Sequence, residues 1–557
     1  MRLAWKHLTV ALCLSVGFTA LLLGTSEEIG YARDEGFYFQ AAASYEAWFS
    51  LLFSEPSQAL HGEVVARYWQ VNSEHPALMK SLFALSHHFL YAKWHLFGTA
   101  GEAFRFPAML ISALGVGALY LWGSETIGAF AGFTAALLFG FMPQVFHHAH
   151  LACFDMPVAA LSLMTAYAYW KSLRHRSLFG ALGVGLLFGL FLNTKHNSWL
   201  FPFVALAHFA LLNHKAWLAK ASDLSRKLRF PPALLGILVL GPLTLYATWP
   251  WLWFEPLPRL SAYAKFHLGH EYYNMEFLGR TYWKPPMPLG YAWLMTLATV
   301  PLVTLALFTV GLVSFARSLL PRSMQSVGVF RSLSSKLASL PLGSPKSAQL
   351  LWLLGLAVNY APWWSSETPI FGGTKHWLTA YPFLCLLAGA GVRVIHERAQ
   401  LLAKSQPQRQ AFRALLFAAL LLGPVSMTWH SVPFGLSAYT PIVGGASGAA
   451  NLGLNRTFWG YTSRSLFDEI NALAPPGARI YVHDTALQSF EQHRQEGGIR
   501  PDLEGTLNLA HSNLALYHHE PHMARVEYQI WSVYGTVRPV AIKLFDGVPV
   551  VWLYRRP

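Results

Sequence analysis

A chain of 557 residues that is 54% hydrophobic and only 12% charged falls well below the roughly 25% charge of soluble domains, which excludes an ordinary water-soluble fold. The formal net charge of +14 suggests a nucleic-acid binder until its distribution is read: Lys and Arg gather between apolar runs, at 171–176, 215–229, 317–346 and 393–413. That is the positive-inside pattern of a membrane protein, and it argues against nucleic acid as a partner.

In chain order, Arg2 and Lys6 precede an apolar run at 8–24. The run has the basic start and apolar core of a signal peptide, but Leu23-Gly-Thr-Ser26 offers no clear small-x-small cleavage site. It is read as an uncleaved first span with a cytoplasmic N-terminus. Further apolar segments lie at 106–122, 126–143, 155–171, 178–193, 198–213, 232–250, 289–316, 349–364, 377–393 and 412–429. Since about 20 helical residues cross a bilayer, the expectation is a polytopic α-helical membrane protein of about eleven transmembrane helices. That count places the four basic stretches inside and leaves large outer loops at 25–105 and 251–288. Segment 78–97, interrupted by Lys80, His87, His88 and Lys93, is read as an amphipathic helix on the outer face, because a span there would invert every later loop. The stretch 317–348, rich in Ser, Arg and Lys, reads as a flexible cytoplasmic loop.

Beyond 429 the long apolar runs stop. Arg479-Ile-Tyr-Val-His483 follows a Pro-Pro-Gly turn, and Val540–Phe545 meets Val548–Leu553 across Asp546-Gly547, a strong hairpin signal. The organisation expected is a transmembrane catalytic domain over 1–429 and a small extracytoplasmic α/β domain over 430–557. Cys13, Cys153 and Cys385 are too scattered for a disulfide framework or a thiolate metal site.

The polar residues that stand out cluster on the outer face of this topology. Asp34 and Glu35 follow the first span, and His75-Pro-Ala77 lies later in the same loop. His147-His-Ala-His150 leads to Asp155-Met-Pro157, and Thr194-Lys195 sits between two apolar helices. Loop 251–288 carries Lys265, Arg280 and Lys284, and Gly372-Gly-Thr-Lys375-His376 opens a later helix. Carboxylates able to take a proton and cations able to hold a phosphate thus meet where a lipid headgroup would sit, as transfer from a lipid-phosphate donor to a hydroxyl requires. Each residue also has a simpler reading: a solvated loop for Asp34 and Glu35, a helix cap for Asp155, a snorkelling lysine for Lys195. His147, His148, His150 and Asp155 leave a divalent metal open as a cofactor. His518, His519 and His522 read as surface residues.

The order of these motifs over roughly residues 1–395 resembles the protein O-mannosyltransferase superfamily, whose bacterial relatives include the aminoarabinose transferases that modify lipid A. The resemblance implies a GT-C glycosyltransferase that takes its sugar from a polyprenyl phosphate at the outer face of the cytoplasmic (inner) membrane. It implies an inverting transfer to a hydroxyl on protein, lipid A or another envelope glycan. Asp34, with Glu35 beside it, would act as catalytic base and Asp155 as the second acidic site. Lys195 would face the donor phosphate, with Arg280 and Lys375 as further cations and His75, His150 and His376 as other site candidates. The chain departs from the family at Ala77, where a second Pro is frequent, and at His150, where an Arg is common. A secondary transporter and a non-catalytic envelope assembly protein are the alternatives; paired inverted halves, which would favour transport, are not visible.

Overall fold

The computed structural model describes residues 5–175, 177–217, 231–320 and 335–557. Arg2, Arg176 and the parts of the basic stretches at 218–230 and 321–334 lie outside the described residues, as does much of the loop expected at 317–348.

Helices occupy every expected apolar segment, from Trp5–Gly24 to Gln406–Ser431. Among the described residues, five are long and apolar enough to cross a membrane: Trp5–Gly24, Ala100–Thr126, Leu302–Leu319, Gly373–Leu402 and Gln406–Ser431. The pair Ala129–Gly140 and Pro143–His150, bent by 66°, makes a sixth if counted as one span. The chain is therefore a polytopic α-helical bundle, but the count of about eleven is corrected to five or six. The shortfall has local causes. Leu178–Leu192 has 15 residues, about 22 Å at 1.5 Å per residue, short of a bilayer core. Asp155–His175 carries Asp155, Lys171 and Arg174. The segment expected at 289–316 breaks into Tyr291–Thr299 and Leu302–Leu319 around Pro301.

Leu302–Leu319 and Tyr381–Leu402 touch backbone to backbone. A Cβ on Gly311 would fall 1.9 Å from the Leu387 carbonyl, and one on Gly391 would fall 2.0 Å from that of Leu307. Such small-residue contacts are how helices approach without a hydrophobic driving force between them. This one anchors the helix that follows directly on the Gly373–Ala380 turn.

The awkward segment forms an α-helix over Leu78–Ser86 that continues as a π-helix over His87–Lys93. Its Lys80 is fully buried, donates to the His75 carbonyl at 2.9 Å and lies 5.3 Å from the centre of the Tyr45 ring. Burial pushes this amine down to about 7. Lys80 therefore does not sit on a polar outer face, as the amphipathic reading expected; it ties down the loop that carries His75.

A two-stranded ribbon, β1 (Met275–Phe277) and β2 (Arg280–Tyr282), stands in the 251–288 loop. The C-terminal strands are β3 (Arg479–Tyr481), β4 (Glu504–Thr506), β5 (Leu514–Tyr517), β6 (Ala541–Phe545) and β7 (Val548–Arg555). They form one mixed sheet in the order β4-β3-β5-β7-β6. The expected hairpin is β6–β7, with Phe545 opposite Val548 and both turn residues at positive φ (Asp546 48°, Gly547 78°). Helix Leu487–Gln495 docks this region on the bundle. Ser489 Oγ donates to the Ala32 carbonyl at 2.9 Å, and Tyr31 N–H donates to His493 Nε2 at 3.1 Å.

Gly391→Val should force the two glycine-packed helices apart at a cost of about 1–3 kcal/mol. The expected outcome is a lower unfolding temperature for the detergent-purified protein; an unchanged one would show that this contact does not hold the bundle.

Candidate functional site

Helix Arg33–Ser54 begins with two adjacent carboxylates that point about 100° apart, as successive helical residues must. Glu35 turns inward and is fully buried. Its Oε1 accepts from Arg105 Nε at 2.8 Å and from Ala152 N at 2.9 Å; its Oε2 accepts from Arg105 Nη2 and Ala32 N, both at 2.8 Å. Asp34 turns outward into a cavity of about 800 Å³. Its side chain keeps 22% of its exposure, and Oδ2 is 3.4 Å from Lys375 Nζ.

Asp155 enters the same cavity from the first turn of Asp155–His175, where the helix dipole favours a carboxylate. It is buried and pairs with Lys195, Nζ to Oδ1 2.5 Å. Lys195 is delivered by its neighbours. The Asn193 side chain donates to Thr248 Oγ1 at 2.8 Å and accepts from Ala77 N at 2.9 Å, while its carbonyl accepts from Leu78 N at 2.9 Å. The Asn-Thr-Lys run is thereby locked to the His75 loop.

Lys375 depends on the glycines before it. Gly372 has φ 72°, and a Cβ there would meet Lys375 Cε at 2.4 Å, so only glycine lets this side chain fold back. Its ammonium lies 4.1 Å from the centre of the Trp459 ring, within cation–π range. His75 and His376 complete this wall. His75 packs its ring against Phe154 and His267, and burial, with nearby His267 and Lys80, holds it well below the usual imidazole range. His376 Nε2 accepts from Phe371 N at 3.1 Å.

Six expected residues therefore meet in one cavity: Asp34, Asp155, Lys195, Lys375, His75 and His376. Three others do not line it. Glu35 is consumed by Arg105. His150 is buried with Nε2 on Thr25 Oγ1 and Nδ1 on the Phe146 carbonyl, both at 2.8 Å. Arg280 is exposed on β2, over the Tyr282 ring. Among the described residues no group of three or more His, Cys, Asp or Glu is arranged to hold a metal ion, so His147, His148, His150 and Asp155 do not make that centre. The cavity also takes in Tyr38, Glu74, His196, His267, Asp484 and Glu520, none of which the sequence marked as site residues. His522 lines it too with a side chain only 5% exposed, and His518 is buried, so neither is the surface residue expected. Glu74 stood next to His75 and His196 next to Lys195, which is the signal that could have found them.

Residues 85–247 match the family model described as dolichyl-phosphate-mannose-protein mannosyltransferase. The chain is similar to that family over this stretch, which bears out the resemblance carried by its motifs. No curated protein matches. Solved structures give long but loose likenesses. One is ArnT from Cupriavidus metallidurans bound to undecaprenyl phosphate (13% identity, 97% of each chain, TM-score 0.46). The same protein in the apo state gives 14% identity, 98% of each chain and TM-score 0.47. A third is the oligosaccharyltransferase AglB from Archaeoglobus fulgidus, in complex with an inhibitory peptide and a dolichol-phosphate (11% identity, 96% of this chain and 72% of that one, TM-score 0.48).

The neighbouring acids should part company on substitution. Arg105→Ala strands a buried carboxylate and should cost about 3–5 kcal/mol, read as a large fall in unfolding temperature. Asp34→Asn should leave that temperature within error of wild type; an equal fall would place Asp34 in the scaffold.

Proposed function

We propose that this chain is a membrane glycosyltransferase that moves a sugar from a polyprenyl-phosphate donor to a hydroxyl acceptor. The observation that supports it is the pairing of two carboxylates with two lysines, Asp34 with Lys375 and Asp155 with Lys195, in one cavity beside the bundle. On this reading residues 1–429 form the catalytic membrane domain and 430–557 an extracytoplasmic domain. The N-terminus is then cytoplasmic and the reaction takes place at the outer face of the cytoplasmic membrane. The acceptor class is a hydroxyl of protein, lipid A or another envelope glycan.

The roles follow from exposure and charge. Asp34 is the more accessible carboxylate, so it serves as general base: it takes the acceptor's hydroxyl proton as the oxygen forms its bond to the anomeric carbon. The bond from that carbon to the phosphate oxygen breaks with its electron pair staying on the phosphate, and the configuration inverts. Lys195 and Lys375 offset the charge that develops there, in a setting where fixed cations act more strongly than in water. Asp155 keeps Lys195 in place when no phosphate is present. Glu35 positions rather than reacts. A lipid donor accounts for the bundle itself, since the polyprenyl chain stays in the bilayer while the headgroup enters the cavity.

The test is release of polyprenyl phosphate from a panel of labelled polyprenyl-phosphate sugars by protein in nanodiscs. Wild type should release it, and Asp34→Asn should lower kcat by about 10²–10⁴-fold, the usual range for a general base. Lys195→Ala and Lys375→Ala should each cost on the order of 10²-fold in kcat/KM. No release from any donor, by folded protein supplied with hydroxyl acceptors, would defeat the assignment.

A further inference from the structure

In the cavity Lys195 and Lys375 stand paired with Asp155 and Asp34. The lining also takes in residues from beyond 450, among them Asn455, Glu520 and His522. Glu520 follows β5 and is buried. Its Oε1 accepts from Arg456 N at 2.6 Å and from Thr457 N at 3.2 Å. Its Oε2 has no partner among the described residues, and neither does Asn455 Oδ1. Glu276 of β1 accepts at Oε1 from Thr281 Oγ1 (2.6 Å), His522 N (3.1 Å) and His522 Nδ1 (3.0 Å), while its Oε2 likewise has no partner among the described residues. Burial pushes the Glu520 carboxyl up to about 8, against the pull of its two backbone N–H groups and Arg456, and the nearby Glu276 adds to the rise.

A buried acceptor without a donor costs stability, and a carboxyl beside a second carboxylate costs more. The fold does not require it: a glutamine at 520 would keep an oxygen for the same two backbone donors. A group that lowers stability while lining a cavity is the usual mark of a site kept for a ligand. The ligand it calls for brings hydroxyls, which both donate and accept, to Glu520 and Asn455 and an anion to the lysines. A sugar joined to a phosphate has both ends.

We propose that Glu520, with Asn455, is a substrate-contacting specificity residue that exchanges hydrogen bonds with the hydroxyl-bearing sugar unit held in the cavity it shares with Lys195 and Lys375. This rests on the glycosyltransferase reading and adds to it that the C-terminal region selects the sugar. The sugar is that of the donor or that of a glycan acceptor; the chemistry is shared and the kinetics separate them.

The experiment uses the full chain in nanodiscs, the polyprenyl-phosphate monosaccharide that wild type turns over fastest, and water or an octyl glycoside as acceptor. Glu520→Gln should unfold at or above the wild-type temperature. It should raise KM by roughly tenfold or more, with kcat within about threefold, a loss of ground-state contact. A rise for the donor with water as acceptor assigns the donor sugar, and a rise for the octyl glycoside alone assigns the acceptor. KM values within about twofold of wild type for both overturn the inference and leave the function standing. Asn455→Ala repeats the measurement if Glu520→Gln does not fold. If wild type turns over no donor, the function fails and the unfolding temperature decides: donors that raise it in wild type but not in Glu520→Gln uphold the sugar contact. An equal rise in both, or none, overturns it.

Discussion

The arrangement of the site depends on one buried ion pair, Glu35 with Arg105. Removing both charges from water costs several kcal/mol per ion, so the pair is tolerable only if every polar atom is used. It is: each carboxylate oxygen accepts two hydrogen bonds, and Arg105 also donates to the Ile29 and Gly30 carbonyls at 2.8 and 2.9 Å and lies against the Tyr31 ring. Those bonds reach three separate pieces of chain. They pin the 29–32 loop just before Asp34, the Leu151–Ala152 turn just before Asp155, and the helix Ala100–Thr126. Asp34 and Asp155 are thus set by another carboxylate that does not itself line the cavity.

The cavity charges repeat this logic in a looser form. Each site lysine rests on a carboxylate, so on the proposed reading an entering phosphate would compete for lysines already in place. The pairs differ in a way that matters for the proposed chemistry. Asp155 and Lys195 are both nearly buried, whereas Asp34 keeps a fifth of its exposure. An acceptor hydroxyl can approach Asp34, while Asp155 is better suited to holding Lys195. The glycine contact between Leu302–Leu319 and Tyr381–Leu402 and the Gly372 turn serve Lys375 in the way that Asn193 serves Lys195: rigid backbone carries a flexible side chain to one place.

Several features were legible in the residues themselves. Low charge and repeated apolar runs gave the helical bundle, and alternation around Asp546-Gly547 gave the β6–β7 hairpin, because both signals are local. The motifs and their outer-face placement marked Asp34, His75, Asp155, Lys195, Lys375 and His376 as site residues, along with Glu35, His150 and Arg280, which do not line the cavity. Span count was less legible, since hydropathy does not register that a 15-residue helix is short or that Pro301 interrupts a run. Lys80 looked like a break in a surface helix because its partners, the His75 carbonyl and the Tyr45 ring, are set by the fold.

The sequence alone thus determined that the chain is a membrane-embedded helical bundle with acidic and basic residues concentrated in the segments between its apolar runs, because apolar length and charge sign are summed along the chain. Only the tertiary structure decided which of those residues meet. A one-residue step on a helix separates Asp34, which faces the cavity, from Glu35, which faces Arg105, and no local pattern records that choice. Arg280 and His150 carried the right chemistry and were folded elsewhere. Glu520 and His522 carried no local signal and were brought in by the docking of the C-terminal region. A side chain's direction is fixed by the partner that satisfies it, and for Asp34, Glu35, Glu520 and His522 that partner lies far away in the chain.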